Sequence, residues 1–447
     1  LRQSVLGANV SPAVSLVLLH TADWHLGKTL YGASLERAHA AFLGWLADVV
    51  VERAVDVVLI AGDVFDRAVP PAHAEQAFYG FLADVGRRAP GVSVVVVAGN
   101  HDGPARLAAP APLLGRLGVT VVGAIPVSAS GGPDLGGLVV PLVRRDGAQM
   151  GQLVAMPFLR PSDLSLTGAE GAAAARSLYA EAVALAAARG RSAAGGVLVA
   201  SGHGQVRGAR LSPDSERALL GGEEAAFPLD VFPAALDYVA LGHLHLAQAL
   251  GPKGRVRYAG APLPLAFSER AYPHQVVLVT LGDGPVRAEG LAVPTTLALR
   301  RLAREDGAAL ELDEAIERLC AEGRAASSAE RWIQVRVRLE GPRPALKREL
   351  AAALEQGATE REPGSVPPRL VHVDVERPAR REQGAVGGPA WPELTPRAVL
   401  ERAWTATSEA PLPEALAGAL DEAWREVLAA EPSIGEPSAR DAHREGA

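Results

Sequence analysis

Apolar residues in this chain follow two rhythms. Short runs such as VSLVLLH, VDVVLIAGD and VSVVVVAGN are of strand length and apolar on both faces, as strands buried between two layers are. Between them, residues 35–53 carry Phe42, Leu46, Val49 and Val50 at helical spacing, and residues 72–88 read as a second helix. Residues 173–188 predict a third helix, followed by the strand runs GGVLVASGH and DYVALGH. RVRYAG and QVVLVTL predict further strands, with the loop APLPLAFSER between them. This alternation, over residues 16–284, predicts an α/β domain.

After residue 284 the pattern changes. An Arg-rich strand segment at 297–304, a helix at 312–320, the strand WIQVRVRLE, a helix at 345–356 and the strand LVHVDVE predict a small α+β unit over residues 285–380. In WIQVRVRLE, alternation places Ile333, Val335, Val337 and Leu339 on one face and Gln334, Arg336 and Arg338 on the other. Residues 381–393 are rich in Gly and Pro and read as a linker. Thr395 is placed to cap a helix that starts at Pro396. Residues 412–428 predict a second helix, with Leu416, Leu420, Ala423 and Val427 in a stripe, so that 394–430 forms a helical tail. Residues 1–15 and 431–447 are expected to be unstructured extensions.

Composition changes this picture little. At 447 residues the chain can hold two or three domains. A formal net charge of −7 argues against a broad basic nucleic-acid surface, although bound cations would invert the local field and local basic patches stay open. A single cysteine, Cys320, excludes an intrachain disulfide and fits a reducing cytoplasm. No run of about eighteen apolar residues is present to span a membrane.

The chemistry lies in five motifs, each directly after a strand run: HTADWHLGK, GDVFD, GNHD, GH at 202–203 and GHLH. Open α/β sheets place ligands beyond the carboxyl ends of their strands. The donors are Asp23, His25, Asp63, Asn100, His203, His243 and His245, all oxygen or nitrogen. That mixture suits Mn²⁺, Fe²⁺ or Zn²⁺ better than the all-oxygen preference of Ca²⁺ or Mg²⁺. Seven donors are too many for one ion that keeps a place for water. They fit two ions about 3.5–4 Å apart around one bridging carboxylate, read as Asp63 using both its oxygens. Two such ions suit phosphoryl transfer. The leaving alkoxide still needs a proton, and His101, adjacent to a ligand, is the candidate general acid. Asp102 or Asp66 could orient it. Each motif alone has a plain alternative, GD and GN being common turn dipeptides. The ordered set of five carries the argument.

This ordered set resembles the calcineurin-like metallophosphoesterases. HTADWHLGK, AGDVFDRAVPP, VAGNHDGPARL, DYVALGHLHLAQ and YAGAPLPLAFSE resemble, within them, the bacterial double-strand-break nuclease subunits. The resemblance implies a four-layer αββα sandwich with a small α+β cap and a C-terminal helical tail. It implies that Asp23, His25, Asp63 and His245 hold one Mn²⁺, that Asp63, Asn100, His203 and His243 hold the other (Mg²⁺, Fe²⁺ or Zn²⁺ being possible), and that His101 is catalytic. It further implies endonuclease and 3′–5′ exonuclease activity on double-stranded DNA ends and hairpins, in a cytoplasmic heterotetramer with two copies of an SbcC-type coiled-coil ATPase docked by the tail.

A homodimer is implied as well. Phe78, Phe81 and Leu82 with Leu113, Leu114 and Leu117 could supply its four-helix contact, or be ordinary core. Lys28, Arg67 and Arg106 are candidate phosphate contacts. Arg336 and Arg338, with Arg300 and Arg301, are candidates for a DNA-facing side of the cap. The plain alternative for each is a solvated charge. The same fold could serve a phosphomonoesterase or cyclic-nucleotide phosphodiesterase, since GDVFDR looks like a protein-phosphatase motif, or a non-catalytic scaffold. The cap, the tail and the complete donor set argue against both.

Overall fold

Two six-stranded sheets face each other, and their side-chain alternation explains why. The computed structural model describes residues 15–190, 196–211, 226–282, 284–359, 364–377, 395–407 and 411–430. The extension expected before the first strand, the linker at 381–393 and the tail at 431–447 lie outside the described residues, apart from Ser15, which already opens the first strand.

The first sheet runs, in spatial order, Arg287–Ala292, Gln275–Gly282, Ser15–Thr21, Val57–Ala61, Ser93–Val97 and Val119–Val122. The last four are parallel, and the first two are antiparallel additions at one edge. The second sheet runs Gln248–Leu250, Val256–Tyr258, Tyr238–Gly242, Val197–His203, Gln149–Val154 and Val139–Val143. Leu16, Leu18, Leu59, Val95 and Val97 from the first sheet meet Leu153, Val199, Val239 and Leu241 from the second in one buried core. Their neighbours Leu19, Val58, Ile60 and Val94 point the other way, onto Phe42, Leu46 and Val50 of the helix Glu36–Glu52 and Phe78, Phe81 and Val85 of the helix Ala72–Arg88. The helix Gly171–Gly190 covers the second sheet through Ala175, Leu178, Ala182 and Ala186. The layers are helix, sheet, sheet, helix, as expected.

Two polar ties cross this apolar interior. His20 is fully buried, with its ring nitrogens 3.0 Å from the Tyr238 hydroxyl and 3.1 Å from the Leu241 carbonyl. Burial pushes its pKa down to about 3, so it links the sheets as a neutral ring. Asp56 accepts the backbone N–H of Val17 at 2.8 Å and of Arg145 at 3.0 Å, while the Arg145 guanidinium donates to the carbonyls of Val55 and Val50.

The strand Arg287–Ala292 corrects the expected boundary at 284–285. It pairs with Gln275–Gly282, so the change of composition there marks a hairpin within the first sheet. The cap's own sheet begins at Leu297 and holds three parallel strands, Leu297–Leu302, Glu330–Arg338 and Arg369–Glu376. The helices Leu312–Arg324 and Leu346–Ala358 form its core with Ile333, Val335 and Val337. Its opposite face sends Leu297, Leu299, Trp332 and Val371 into the core of the first sheet, and the two parts form one compact unit.

Phe78, Phe81 and Leu82 are core residues, so ordinary packing accounts for them; Leu113 and Leu117 are exposed. In the second unit, Thr395 accepts the Ala398 N–H, and the helices Pro396–Thr407 and Glu414–Ala430 are tied by Arg397 to Asp421 at 2.8 Å. Leu416 and Trp424 are exposed on the second of these. No helix among the described residues is long and apolar enough to cross a membrane.

Replacing Asp56 with Ala strands two backbone donors and is expected to cost about 2–4 kcal/mol. Reversible chemical denaturation of parent and variant measures it.

Candidate metal centre

Seven donors converge where the facing sheets bring their strand ends together. The first two loops run side by side: Asp23 N–H donates to Gly62 O, His25 N–H to Asp63 O and Leu26 N–H to Val64 O. This ladder extends the parallel pairing of strands Ser15–Thr21 and Val57–Ala61 past their ends. The GNHD loop follows Ser93–Val97 in the same sheet, and His203, His243 and His245 come from the ends of two strands of the other.

The backbone is strained where the donors sit. Asp23, His25, Asp63 and His243 have φ of +56°, +47°, +50° and +99°. For non-glycine residues such conformations cost roughly 1–3 kcal/mol each and cluster at functional sites. The glycines before two of the donors allow the approach. A Cβ on Gly62 would lie 2.2 Å from His203 Nδ1, and one on Gly99 would lie 2.1 Å from Asp63 Oδ1.

Asp63 is central. Its Oδ1 accepts the His101 backbone N–H at 2.8 Å. Its Oδ2 lies 3.6 Å from His25 Nε2 and 3.3 Å from His203 Nε2. Donor atoms of Asp23, His25 and His245 lie within 4.8 Å of one another, as do those of Asp23, Asp63 and His203. Asn100 Oδ1 is 3.0 Å from His203 Nε2 and 3.0 Å from His243 Nδ1, which joins the remaining two donors to the cluster. The rings of His25 and His245 are 5.2 Å apart, and those of His203 and His243 are 5.4 Å apart.

Six of these seven side chains are titratable groups crowded out of water, and five of them show it. Burial pushes the Asp23 carboxyl up to about 6. Burial pushes His25 down to about 4 and His243 down to about 3. Burial would also lower His203, but the Asp63 carboxylate outweighs it and raises the imidazole to about 9. Burial opposes ionisation of Asp63 in turn, yet His203 holds that carboxyl far below the usual range. Asp23 Oδ2 and His25 Nε2 are buried without a hydrogen-bond partner, while His25 Nδ1 lies 3.5 Å from the Asp66 carboxylate. Buried polar atoms are rarely left so. A ring of lone pairs from carboxylate, amide and imidazole, aimed at a common centre, is a donor set that a divalent cation satisfies.

The supporting contacts depart in part from expectation. His101 is oriented by neither the Asp102 nor the Asp66 carboxylate: its Nδ1 donates to the backbone carbonyl of Asp66 at 2.9 Å. Asp102 instead accepts the backbone N–H groups of Val64, Phe65 and Gly99, clamping the second and third loops together. The Asp66 carboxylate pairs with Lys28 at 3.0 Å. Glu269 is a supporting residue that the motifs do not reveal. It is fully buried, accepts His245 Nδ1 at 2.8 Å and the Leu265 N–H at 2.9 Å, and so turns His245 Nε2 toward the cluster. Its only signal is an acidic residue within the loop APLPLAFSER. His203 is likewise held by Nδ1 donating to Ala61 O at 2.9 Å.

Six of the candidate phosphate-binding cations face carboxylates. Lys28 and Arg67 face Asp66, and Arg106 pairs with Glu75 at 2.9 Å. Arg336 meets Asp374 and Glu376, and Arg338 meets Glu376 at 2.9 Å. Arg300 pairs with Glu322 at 3.0 Å.

Comparison with known proteins accords with this architecture. The family model for calcineurin-like phosphoesterases matches residues 16–247. The D subunit of the SbcCD nuclease from Rhodobacter capsulatus is 38% identical over 396 residues, covering 87% of this chain and 94% of that protein. The protein of that name from Escherichia coli K12 is 38% identical over 293 residues, covering 62% of this chain and 68% of its own length. That of Bacillus subtilis is 35% identical over 280 residues, covering 60% and 66%. The chain is thus a calcineurin-like phosphoesterase, a hydrolytic enzyme. Within that class it belongs to the family formed by the D subunits of SbcCD nucleases.

Two substitutions test the centre. Glu269→Gln is expected to weaken divalent-cation affinity roughly 10–100-fold with the fold retained, as loss of a ligand's supporting carboxylate does; calorimetric titration with Mn²⁺ measures it. Gly99→Ala should weaken cation binding at least as much, because its Cβ displaces the Asp63 carboxylate; metal content after dialysis, beside circular dichroism, separates this from unfolding.

Proposed function

We propose that this chain is the nuclease component of a DNA end-processing complex, hydrolysing phosphodiester bonds with two divalent cations. The observation that carries the reading is Asp63 Oδ2 standing between His25 and His203, at the meeting point of two donor groups. Asp23, His25, Asp63 and His245 would hold one ion, and Asp63, Asn100, His203 and His243 the other. Asp63 would be the shared ligand: its Oδ2 lies between His25 and His203, and its Oδ1 accepts the His101 amide. Mn²⁺ fits this mixed donor set, with Mg²⁺, Fe²⁺ and Zn²⁺ as alternatives. When bound, such ions supply an activated water and neutralise charge on the phosphate.

The chain's own residues do the rest. His101 donates a hydrogen bond from Nδ1 to the Asp66 carbonyl, which leaves Nε2 as the ring atom that delivers a proton to the departing alkoxide. The Asp63 carboxylate, through the His101 amide, holds that imidazole beside the cluster, and the ring sits 4.7 Å from His25. Asp102 keeps the second and third loops in register, so that Asn100 and His101 keep their places.

The substrate in this reading is double-stranded DNA, at ends and hairpins, cut by endonuclease and 3′–5′ exonuclease action in repair and recombination. Membership in the family of SbcCD nucleases supports it, as does the cap packed against the catalytic domain. Lys28, Arg67, Arg106, Arg336 and Arg338 are the proposed DNA contacts, each exchanging a carboxylate partner for a phosphate. The helices Pro396–Thr407 and Glu414–Ala430 are the proposed dock for an SbcC-type coiled-coil ATPase, in a cytoplasmic complex with two copies of each protein. Homodimer contacts would draw on the exposed Leu113 and Leu117.

His101→Ala is expected to lower kcat on duplex DNA by about 10²–10⁴-fold, the contribution of a general acid, without loss of bound Mn²⁺. Gel-based cleavage assays with and without the ATPase, beside metal analysis, decide it. Cleavage at the parent's rate removes His101 from the mechanism. Hydrolysis of phosphomonoesters by the parent with no cutting of DNA would favour the small-substrate alternative.

A further inference from the structure

An aromatic contact joins the cap to the metal loops. Tyr31 sits at the tip of the short hairpin Thr29–Leu30 and Ala33–Ser34, which leaves the first metal loop directly after Lys28. Its φ is +50°, a left-handed conformation that tyrosine adopts only at a cost. The side chain is 51% exposed, yet it lies flat on His372 of the cap, with centroids 3.9 Å apart and planes 12° from parallel. Phe267 approaches the same ring at 6.0 Å, and the Gln334 amide reaches its hydroxyl at 3.5 Å.

His372 reaches this position through an irregularity in its strand. Along Arg369–Glu376, Leu370 faces Ile333, but His372 faces Gln334, so Val371 is the extra residue of a bulge. In a regular ladder His372 would face Val335 and point into the cap's own core, because one step of register exchanges the two faces of a strand. Two independent departures from regular backbone are therefore needed for these rings to meet. The bulge also serves the cap's core, since it lets Leu370 as well as Val373 and Val375 reach it, and the positive φ of Tyr31 and Gly32 is that of a two-residue hairpin turn.

What the stack touches gives it consequence. The hairpin's base is tied to the metal loop, with Lys28 N–H donating to His25 O at 3.0 Å and Leu35 N–H to Lys28 O at 3.1 Å. Phe267 belongs to the turn Phe267–Glu269, whose Glu269 orients His245. The stack thus connects the cap to the loops that carry His25 and His245.

We propose that the Tyr31–His372 stack is a latch between the cap and the first metal loop, and that these two positioning residues favour an extended duplex over a small phosphodiester. The substrate half of this statement rests on the nuclease reading above. The test uses the full chain with Mn²⁺, a blunt duplex oligonucleotide and bis(p-nitrophenyl) phosphate. In Tyr31→Leu and in His372→Leu, the ratio of kcat/KM for duplex to that for the small diester should fall about three- to tenfold, the worth of one aromatic pair. The double variant should fall no further, and Tyr31→Phe, which keeps the stack, should restore the ratio to within about twofold of the parent. Independently of activity, His372→Leu should speed hydrogen–deuterium exchange of amides in residues 29–35, far away in sequence. An unchanged ratio in both single variants, losses that multiply in the double variant, or unchanged exchange in the hairpin would overturn the latch. If the parent hydrolyses the small diester but cuts no duplex, the nuclease reading fails, and the exchange measurement still decides the latch.

Discussion

The structure around the centre depends on the burial of Asp63 between imidazoles. A carboxylate removed from water is costly unless opposite charge or strong donors surround it. Here His203 answers it at 3.3 Å and the His101 amide at 2.8 Å. The raised pKa of His203 and the depressed one of Asp63 are two expressions of that single contact. It also crosses the sandwich, since Asp63 follows a strand of one sheet and His203 ends a strand of the other. Ligand placement and the packing of the two sheets are therefore one constraint.

The cost of this arrangement is spread through the surrounding loops. Four donors sit in left-handed conformations, and Gly62 and Gly99 stand where no Cβ fits. Asp102 offsets part of the cost by accepting three backbone donors from two loops. Such strain persists only where the surroundings over-determine it. The continuous core beneath, from Leu16 and Leu59 through Val199 and Leu241, is what does so.

Several cations near the centre and on the cap are paired with carboxylates. The cap's arginines on the strand Glu330–Arg338 face Asp374 and Glu376, and Lys28 faces Asp66. Phosphate binding at such positions is an exchange of anions rather than a gain of new contacts.

The sequence by itself determined the local parts. Unbroken Val/Leu/Ile runs announced the central strands, helical spacing announced the helices at 36–52 and 72–88, and the five polar motifs at strand ends supplied seven candidate donors, whose side chains the fold brings together. These features are legible because strand burial and turn chemistry act over a few neighbouring residues. Tertiary structure decided the rest. The polar strand Arg287–Ala292 forms because a partner strand is already there, and it moved the cap's start to Leu297. The same holds for Asp66 orienting His101 by its carbonyl rather than its carboxylate, for Glu269 behind His245, and for a one-residue bulge that turns His372 toward Tyr31. Each depends on groups far apart in the chain meeting at hydrogen-bonding or stacking distance, and periodicity along a single segment carries no information about such meetings.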